Sequence, residues 1–359
     1  MRYLSREIVV ALALVVALTW GGGAAFAQGG AAVKPAFASK PAPAQTPAAK
    51  PASSASSQAA STSEQAVLET PTGRLYGTLE LPAKGRAPYP VVLIISGSGP
   101  TDRDGNSPAL PGANNSLKYL ADALAAQGIA SLRYDKRGVA ASAGAAKSEA
   151  DLRFDTYIED AALWGRRLRE DKRFSRLVVA GHSEGSLLGM VAAQRLGAEG
   201  YVSIAGAGRR ADVVVLEQMK KQLSPELYAK CESIFKSLSE GKTTSDVPDS
   251  MAALFRPIVQ PYIISWLKYD PAREIAKLDV PVLIVQGTHD LQVGVEDAKL
   301  LAQAKPTAKL VLVEGMNHVL KDAPADPRQQ GPAYSDPSLP DSPRFLAEVV
   351  AFVNGAKKK

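Results

Sequence analysis

The strongest constraint on the fold is an alternation of short apolar runs with amphipathic segments. Runs such as YPVVLIISGSG (89–99) and SRLVVAGHS (175–183) are rich in Val, Ile and Leu, which is typical of strands buried on both faces. Stretches with helical spacing separate these runs, as in residues 115–128 and 151–171. This alternation predicts an α/β fold with a mostly parallel central sheet and helices on both faces.

Two segments depart from the alternation. Residues 66–82, AVLETPTGRLYGTLELP, predict a β-hairpin that adds antiparallel strands at one edge of the sheet. Residues 209–270 are helical in character, so we predict an inserted helical cap over the carboxyl edge of the sheet. The second half of this cap is rich in large apolar residues, which include Phe255, Tyr262 and Trp266. These side chains either only pack the cap onto the body or also line a substrate pocket.

The first 65 residues are not expected to belong to the folded domain. Residues 1–27 combine basic residues, an apolar run of 13 residues and an A-F-A site, which predicts a cleaved signal peptide and an exported protein. An uncleaved membrane anchor is the alternative. Residues 28–65 are dominated by Ala, Pro, Ser and Lys and predict a disordered tether, or else a segment that binds an acidic surface. The predicted domain therefore spans residues 66–356.

The net charge of +6 does not indicate a nucleic-acid partner. The excess positive charge lies in residues 1–27, 28–65 and 357–359, so the predicted domain is neutral. The single cysteine, Cys231, excludes an internal disulfide, and its charged helical surroundings do not favour a nucleophile. We expect no stable membrane insertion after signal cleavage, no metal and no organic cofactor. The sequence makes no prediction of the oligomeric state.

The motif GHSEG (181–185) supplies a candidate nucleophile, Ser183. A bare G-x-S-x-G occurs by chance, but here a buried strand precedes the motif and a helical pattern follows it. Gly181 and Gly185 allow the sharp strand-to-helix turn that exposes such a serine. The turn would hold the hydroxyl at the carboxyl edge of the sheet, where open α/β sheets bind their ligands.

A serine hydroxyl needs a neighbouring base, and the chain contains three histidines. His182 adjoins the serine and would point away from it, and His289 adjoins a candidate acid. His318, on the loop after the last predicted strand, is therefore the candidate base. Asp290 lies just past the end of a buried strand and is the candidate carboxylate that orients the histidine. Asp270, which precedes a proline and follows no strand, is the rival acid.

From about residue 66 onward the chain resembles the α/β-hydrolase superfamily. It is similar in particular to bacterial acyl esterases with a serine-aminopeptidase type of domain. The motifs SGSGPTDRDGN, RYDKRG, GHSEG, GTHD and MNH occur in the order of that family and roughly at its spacing. The resemblance implies hydrolysis of a small-molecule carboxylic ester with a short to medium acyl chain. An aminopeptidase or acyltransferase with the same triad stays open, and so does a catalytically idle exported binding protein.

The resemblance also implies an oxyanion hole built from two backbone N–H groups. One belongs to Glu184, the residue after the candidate nucleophile. Family members with His-Gly in the loop after an early strand align that pair with Ser96-Gly97. Ser98 would then supply the second N–H group, with Gly99 as the alternative.

Asp135 and Arg137, in RYDKRG, follow a predicted strand. We expect them to pair with each other or with charged residues of the 102–104 segment, and so to fix the loops. Direct contact with a charged end of the substrate is the alternative. The family continues after this motif with a glycine-rich stretch, whereas this chain has GVAASAG, so no loop-specific role is carried over.

Overall fold

A computed structural model describes residues 61–220 and 222–356. Its centre is one eight-stranded sheet with the strand order β1-β2-β4-β3-β5-β6-β7-β8. The strands are β1 (Thr62–Thr70), β2 (Gly73–Leu81), β3 (Tyr89–Ile95), β4 (Ala130–Tyr134), β5 (Phe174–His182), β6 (Gly200–Ile204), β7 (Val282–Gly287) and β8 (Lys309–Val313).

The sheet is parallel except at one edge. Strands β1 and β2 form the predicted antiparallel hairpin, and β2 also pairs antiparallel with β4. All pairs from β4 through β3 to β8 are parallel. The predicted fold class, a mostly parallel sheet covered by helices, is confirmed.

Helices cover both faces of the sheet and the edge at which the parallel strands end. They are α1 (Ser116–Ala126), α2 (Phe154–Glu170), α3 (Glu184–Leu196), α4 (Ala211–Lys220), α5 (Pro225–Ser239), α6 (Ala252–Phe255), α7 (Gln260–Trp266), α8 (Pro271–Ala276), α9 (Val295–Ala304), α10 (Gly331–Ser335) and α11 (Pro343–Gly355).

Strand β3 shows why the central strands lack polar alternation. Leu93 and Ile95 point into the core shared with α2 and α3, whereas Val92 and Ile94 point into the core shared with α1 and α11. All four side chains are fully buried. Since successive residues of a strand face opposite sides, a strand between two helical layers needs apolar residues at every position.

The described residues between β6 and β7 contain five α-helices, α4 to α8. The predicted cap segment, residues 209–270, contains four of them, and α8 follows directly with Asp270 as its N-cap. Helix α5 begins with Ser224 as N-cap, whose side chain accepts a hydrogen bond from the backbone N–H of Leu227.

The predicted boundary between tether and domain was wrong by four residues. Strand β1 begins at Thr62, and Thr62 pairs with Leu81 rather than belonging to the tether. The first residues of β1 are polar and exposed, because an edge strand buries neither face there, so they lack the apolar signature of a strand. Ser63 Oγ donates a hydrogen bond of 2.7 Å to Glu80 of β2.

The predicted signal peptide and residues 28–60 of the tether lie outside the described residues. Within residues 61–220 and 222–356, no helix is long and apolar enough to cross a membrane.

Two glycines permit the close packing between β5 and α3. A Cβ atom on Gly181 would overlap the backbone of Gly185. A Cβ atom on Gly185 would in turn overlap the carbonyl oxygens of Ile95 and Ser96, at the end of β3. Backbone atoms cannot rotate away as a side chain can, so any larger residue forces the strands and the helix apart.

We expect Gly185→Ala to lower the free energy of unfolding by about 3 kcal/mol, because the three atoms nearest to the new Cβ all belong to the backbone. Gly144→Ala is the matched control. Gly144 is exposed and has open space at its Cβ position, so that change should stay within about 0.5 kcal/mol of the wild type. Urea unfolding of both variants measures the difference. Equal unfolding midpoints for the two would contradict the packing argument.

Candidate active site

Ser183 occupies the turn between β5 and α3. Its backbone has φ 55° and ψ −121°, a conformation that residues with a side chain rarely adopt. The Ser183 N–H donates to the carbonyl oxygen of Ile204, at the end of β6, over 2.9 Å. Such strain costs about 1–3 kcal/mol and persists where the surroundings impose it, which is common at functional sites.

Asp290 and His318 form a hydrogen-bonded pair at the same edge of the sheet. His318 Nδ1 lies 2.8 Å from Asp290 Oδ2, and both side chains are buried. The other carboxylate oxygen accepts the backbone N–H groups of Gln292 and Val293, at 2.8 and 3.0 Å. Gln286 Nε2 donates to Oδ2 over 3.0 Å.

The carboxylate fixes the tautomer of the histidine. Burial alone would raise the pKa of Asp290, but His318 and the two backbone N–H groups outweigh it and hold that pKa below its usual value. An ionised carboxylate only accepts hydrogen bonds, so Nδ1 of His318 donates its proton to it. The Nε2 atom then carries the free lone pair and can accept a proton from a serine hydroxyl.

Asp270, the rival acid, has a different role. Its carboxylate accepts the backbone N–H groups of Ala272 and Arg273, and so caps the first turn of α8. The carboxylate that contacts His318 belongs to Asp290.

The other two histidines bond to the main chain. His182 Nε2 donates to the carbonyl oxygen of His318 over 2.8 Å, and the two rings lie 4.9 Å apart. His289 Nδ1 lies 2.6 Å from the carbonyl oxygen of Ala323. The sequence excluded His182 as the base but did not indicate that it supports the loop of His318. Burial, with a smaller contribution from His318, lowers the pKa of His182 to about 3.

Among the described residues, Ser183 lines two cavities, and its neighbour Glu184 lines a third, the cap cavity. The His318 cavity, of about 500 Å³, is lined by Gly97, Ser98, Thr101, Gly105, Ser107, Leu110, Asn114, His182, Ser183, Gln292, His318, Val319 and Tyr334. The α4 cavity, of about 620 Å³, is lined by Ser98, Ser183, Glu184, Leu187, Ala207, Arg209, Ala211, Val214, Val215, Gln218, Trp266, Pro271, Gln292 and Val293. The cap cavity, of about 690 Å³, is lined by Gly99, Lys136, Arg137, Gly138, Val139, Glu149, Leu152, Tyr157, Glu184, Leu254, Val259, Tyr262, Ile263 and Trp266.

Ser98 and Glu184, the two predicted oxyanion donors, both line the α4 cavity with Ser183. Ser98 lines both cavities that Ser183 lines, whereas Gly99 lines only the cap cavity among these three. Glu184 is the first residue of α3, where backbone N–H groups have no partner within the helix. Ser98 rather than Gly99 therefore shares the cavities of the serine.

The predicted pocket residues divide. Tyr262 and Trp266 line the cap cavity, and Trp266 also lines the α4 cavity. The prediction that Phe255 lines the pocket was wrong. Phe255 is fully buried and packs edge-to-face on Phe235 of α5, with ring centroids 4.9 Å apart. Its neighbour Leu254 lines the cap cavity instead. Successive side chains of an α-helix point about 100° apart. In a helix of only four residues, the sequence pattern does not determine which of two neighbours faces the cavity.

The residues after β4 take separate partners. Asp135 accepts from Arg103 Nη2 at 2.7 Å and from the Arg103 backbone N–H at 2.8 Å, which agrees with the predicted loop-fixing pair. Arg137 pairs with Asp160 of α2, through Nε at 3.0 Å and Nη2 at 2.5 Å, a partner that the sequence did not indicate.

Lys136 is a residue that the sequence analysis missed. Its side chain is fully buried, donates to the carbonyl oxygen of Gly97 and lies 3.4 Å from Glu184 Oε1. A lysine between an aspartate and an arginine is typical of a solvated surface charge, and only the fold shows that its side chain points inward.

In the described part of the chain, no cluster of three or more His, Cys, Asp or Glu side chains could hold a metal ion.

The pKa of His182 gives a pH prediction. The ring is neutral in the folded protein down to about pH 3, whereas an unfolded histidine takes up a proton near pH 6.5. Unfolding therefore binds a proton between these values, and stability falls as the pH is lowered through this window. Between pH 6.5 and about pH 3, the free energy of unfolding of the wild type should fall by about 1.4 kcal/mol per pH unit relative to that of His182→Gln. Urea unfolding at several pH values measures this difference. Parallel pH profiles of the two proteins would contradict the buried neutral ring.

Comparison with solved structures shows the same fold. Est1E from Butyrivibrio proteoclasticus, solved with ferulic acid bound, aligns with a TM-score of 0.52 at 17% identity and covers 80% of this chain and 96% of its own. The α/β hydrolase GrgF from Penicillium sp. sh18 aligns with a TM-score of 0.55, also at 17% identity, and covers 82% of this chain and 99% of its own.

Sequence comparison is more specific. Esterase EstD from Thermotoga maritima is 30% identical over 249 residues, which are 68% of this chain but only 58% of EstD. The match thus spans a little more than half of that relative. The model of the serine aminopeptidase S33 family matches residues 113–322, more than half of the chain, including the positions of Ser183, Asp290 and His318. The chain therefore belongs to the serine aminopeptidase S33 family and has the α/β-hydrolase fold.

Proposed function

We propose that this protein is an exported serine hydrolase that cleaves carboxylic esters through an acyl-enzyme on a Ser183–His318–Asp290 triad. The 2.8 Å hydrogen bond between His318 Nδ1 and Asp290, beside the strained turn at Ser183, carries the proposal. A catalytically idle binding protein would gain nothing from the backbone strain at Ser183. This argues against that alternative.

In the proposed reaction, His318 Nε2 accepts the proton of Ser183 as the hydroxyl oxygen attacks the ester carbonyl. The imidazolium that forms is stabilised by Asp290, whose lowered pKa keeps it ionised. His318 then protonates the leaving alcohol. A water molecule, deprotonated by the same imidazole, attacks the acyl-enzyme, and Ser183 recovers its proton as the acid leaves.

The negative oxygen of each tetrahedral intermediate would be held by the backbone N–H groups of Ser98 and Glu184. Both residues line the α4 cavity with Ser183, which supports this assignment. Each such donor contributes about 3 kcal/mol to transition-state stabilisation, because it is already aimed at the charge that develops.

Apolar linings around the serine support an ester with an apolar acyl group. The cap cavity presents Leu254, Tyr262 and Trp266, and the α4 cavity presents Leu187 and Val215. Such surfaces bind acyl chains through burial of apolar area. The similarity to Esterase EstD supports the same substrate class.

An aminopeptidase is the second candidate, because the matching family model is that of serine aminopeptidases. A peptidase of this kind would need a carboxylate that can receive the free amine of its substrate. Glu184 already faces Lys136, Asp104 pairs with Arg133 at 2.7 Å, and Asp102 accepts two backbone N–H groups. Since these acids have partners, we favour the ester. Export rests on the sequence of residues 1–27 alone.

We expect the chain from residue 28 onward to hydrolyse p-nitrophenyl acetate, butyrate and octanoate faster than aminoacyl p-nitroanilides. Ser183→Ala should lose at least about 10⁴-fold in kcat on the esters, because it lacks the nucleophile. Circular dichroism checks that the variant is folded. Turnover of anilides alone would make the protein a peptidase, and unchanged ester turnover in Ser183→Ala would contradict the proposed nucleophile.

Asp290→Asn should lower kcat by at least about 100-fold, because an amide no longer fixes the histidine tautomer or stabilises the imidazolium. Asp270→Asn is the matched control. It alters a helix cap, so it should keep kcat within about threefold and lose up to about 1 kcal/mol of stability. A large loss of kcat in Asp270→Asn with a small one in Asp290→Asn would reverse the assignment.

A further inference from the structure

The buried ammonium group of Lys136 contacts the peptide that carries one proposed oxyanion donor and the side chain of the residue that carries the other. Lys136 lies in the segment that follows β4, and its side chain is fully buried. It donates to the carbonyl oxygen of Gly97 and lies 3.4 Å from the carboxylate of Glu184. Tyr157 packs beside it, with its ring centroid 5.5 Å from Nζ. Removing a charge from water is costly, so this group is held by specific partners.

The hydrogen bond from Lys136 to the Gly97 carbonyl oxygen acts on the peptide that carries the Ser98 N–H group. The carbonyl group of Gly97 and the N–H group of Ser98 belong to the same planar, trans peptide unit. A donor fixed on the carbonyl oxygen therefore fixes the direction in which the Ser98 N–H points. It also polarises the amide, which makes that N–H a stronger donor.

The ion pair between Lys136 and Glu184 acts on the residue that carries the other proposed N–H donor. Glu184 is the first residue of α3, and its side chain is buried beneath the cap. The ion pair with Lys136 holds this residue from its side chain while its N–H group stays at the open end of the helix. One ammonium group thus connects the Gly97–Ser98 peptide with Glu184.

Two side-chain hydrogen bonds also hold the loop that carries Ser98. Ser96 Oγ donates to the Thr101 carbonyl over 3.2 Å, and Thr101 Oγ1 donates to the Ser98 carbonyl over 2.7 Å. A Cβ atom on Gly97 would lie 3.2 Å from that of Ser183, so the loop already touches the turn. Neither loop hydrogen bond reaches the Gly97 carbonyl oxygen.

We propose that Lys136 is a positioning residue that aligns both N–H groups of the oxyanion hole, Ser98 through the Gly97 carbonyl and Glu184 through its carboxylate. This inference rests on the proposed function and adds to it a residue that does not touch the reacting atoms. Burial lowers the pKa of Lys136, and Glu184 opposes that effect.

The test compares two variants with wild type. Lys136→Met removes the ammonium group at similar length, and Lys136→Met with Glu184→Gln also removes the carboxylate that would otherwise stay buried without a cation. The readouts are kcat and KM for p-nitrophenyl butyrate and the inhibition constant of an alkyl trifluoromethyl ketone. The hemiketal that this ketone forms with a serine places its oxyanion in the hole.

The matched control is Lys321→Met with Asp341→Asn. Lys321 is also buried, lies 3.3 Å from Asp341 and donates to the Leu339 carbonyl oxygen over 2.5 Å. Neither residue lines any of the three cavities that Ser183 or Glu184 lines. This control should lose stability and keep all three kinetic readouts within about threefold.

We expect the Lys136–Glu184 double variant to fold and to lose about 10- to 100-fold in kcat with KM within about threefold. The ketone inhibition constant should rise by a similar factor. A folded double variant with unchanged kcat and inhibition constant would overturn the inference, and so would a raised KM with kcat retained. A wild type without ester turnover would overturn the proposed function itself, which separates the two failures.

Discussion

Close packing of the turn at Ser183 against the end of strand β3 is the constraint on which the site depends. Gly185 has no room for a Cβ atom beside the carbonyl oxygens of Ile95 and Ser96, and Gly97 lies against Ser183. Strand β3, strand β5 and helix α3 are therefore locked together at one edge of the sheet. The same contact brings the loop of Ser98 to the serine, so the proposed nucleophile and oxyanion donors share one rigid junction.

Three consecutive residues after β4 extend this junction to its surroundings. Asp135 holds the loop of Arg103, Lys136 contacts Gly97 and Glu184, and Arg137 pairs with Asp160 of α2. All three side chains are buried. Breaking a buried ion pair leaves a buried charge without a partner, so each of these connections is costly to break. A single short segment thus fixes two loops and two helices around Ser183.

Local pattern was enough to predict the central sheet, the turn at Ser183 and the pairing of Asp290 with His318. Each depends on where a buried strand ends, and apolar runs mark those ends in the sequence. The start of β1 was missed because an edge strand that is exposed at Thr62 needs no apolar residues. The inward direction of Lys136 and Phe255 depends on contacts with residues 39, 48 and 20 positions away, and no local pattern encodes such contacts.

The reactive nucleophile of the protein can be located directly. The chain from residue 28 onward would be treated with a fluorophosphonate, which phosphonylates activated serines, and the adduct mapped by mass spectrometry of its peptides. We expect one adduct per chain, on the Oγ atom of Ser183. No adduct, or an adduct on a different serine, would contradict the claim that this turn carries the nucleophile.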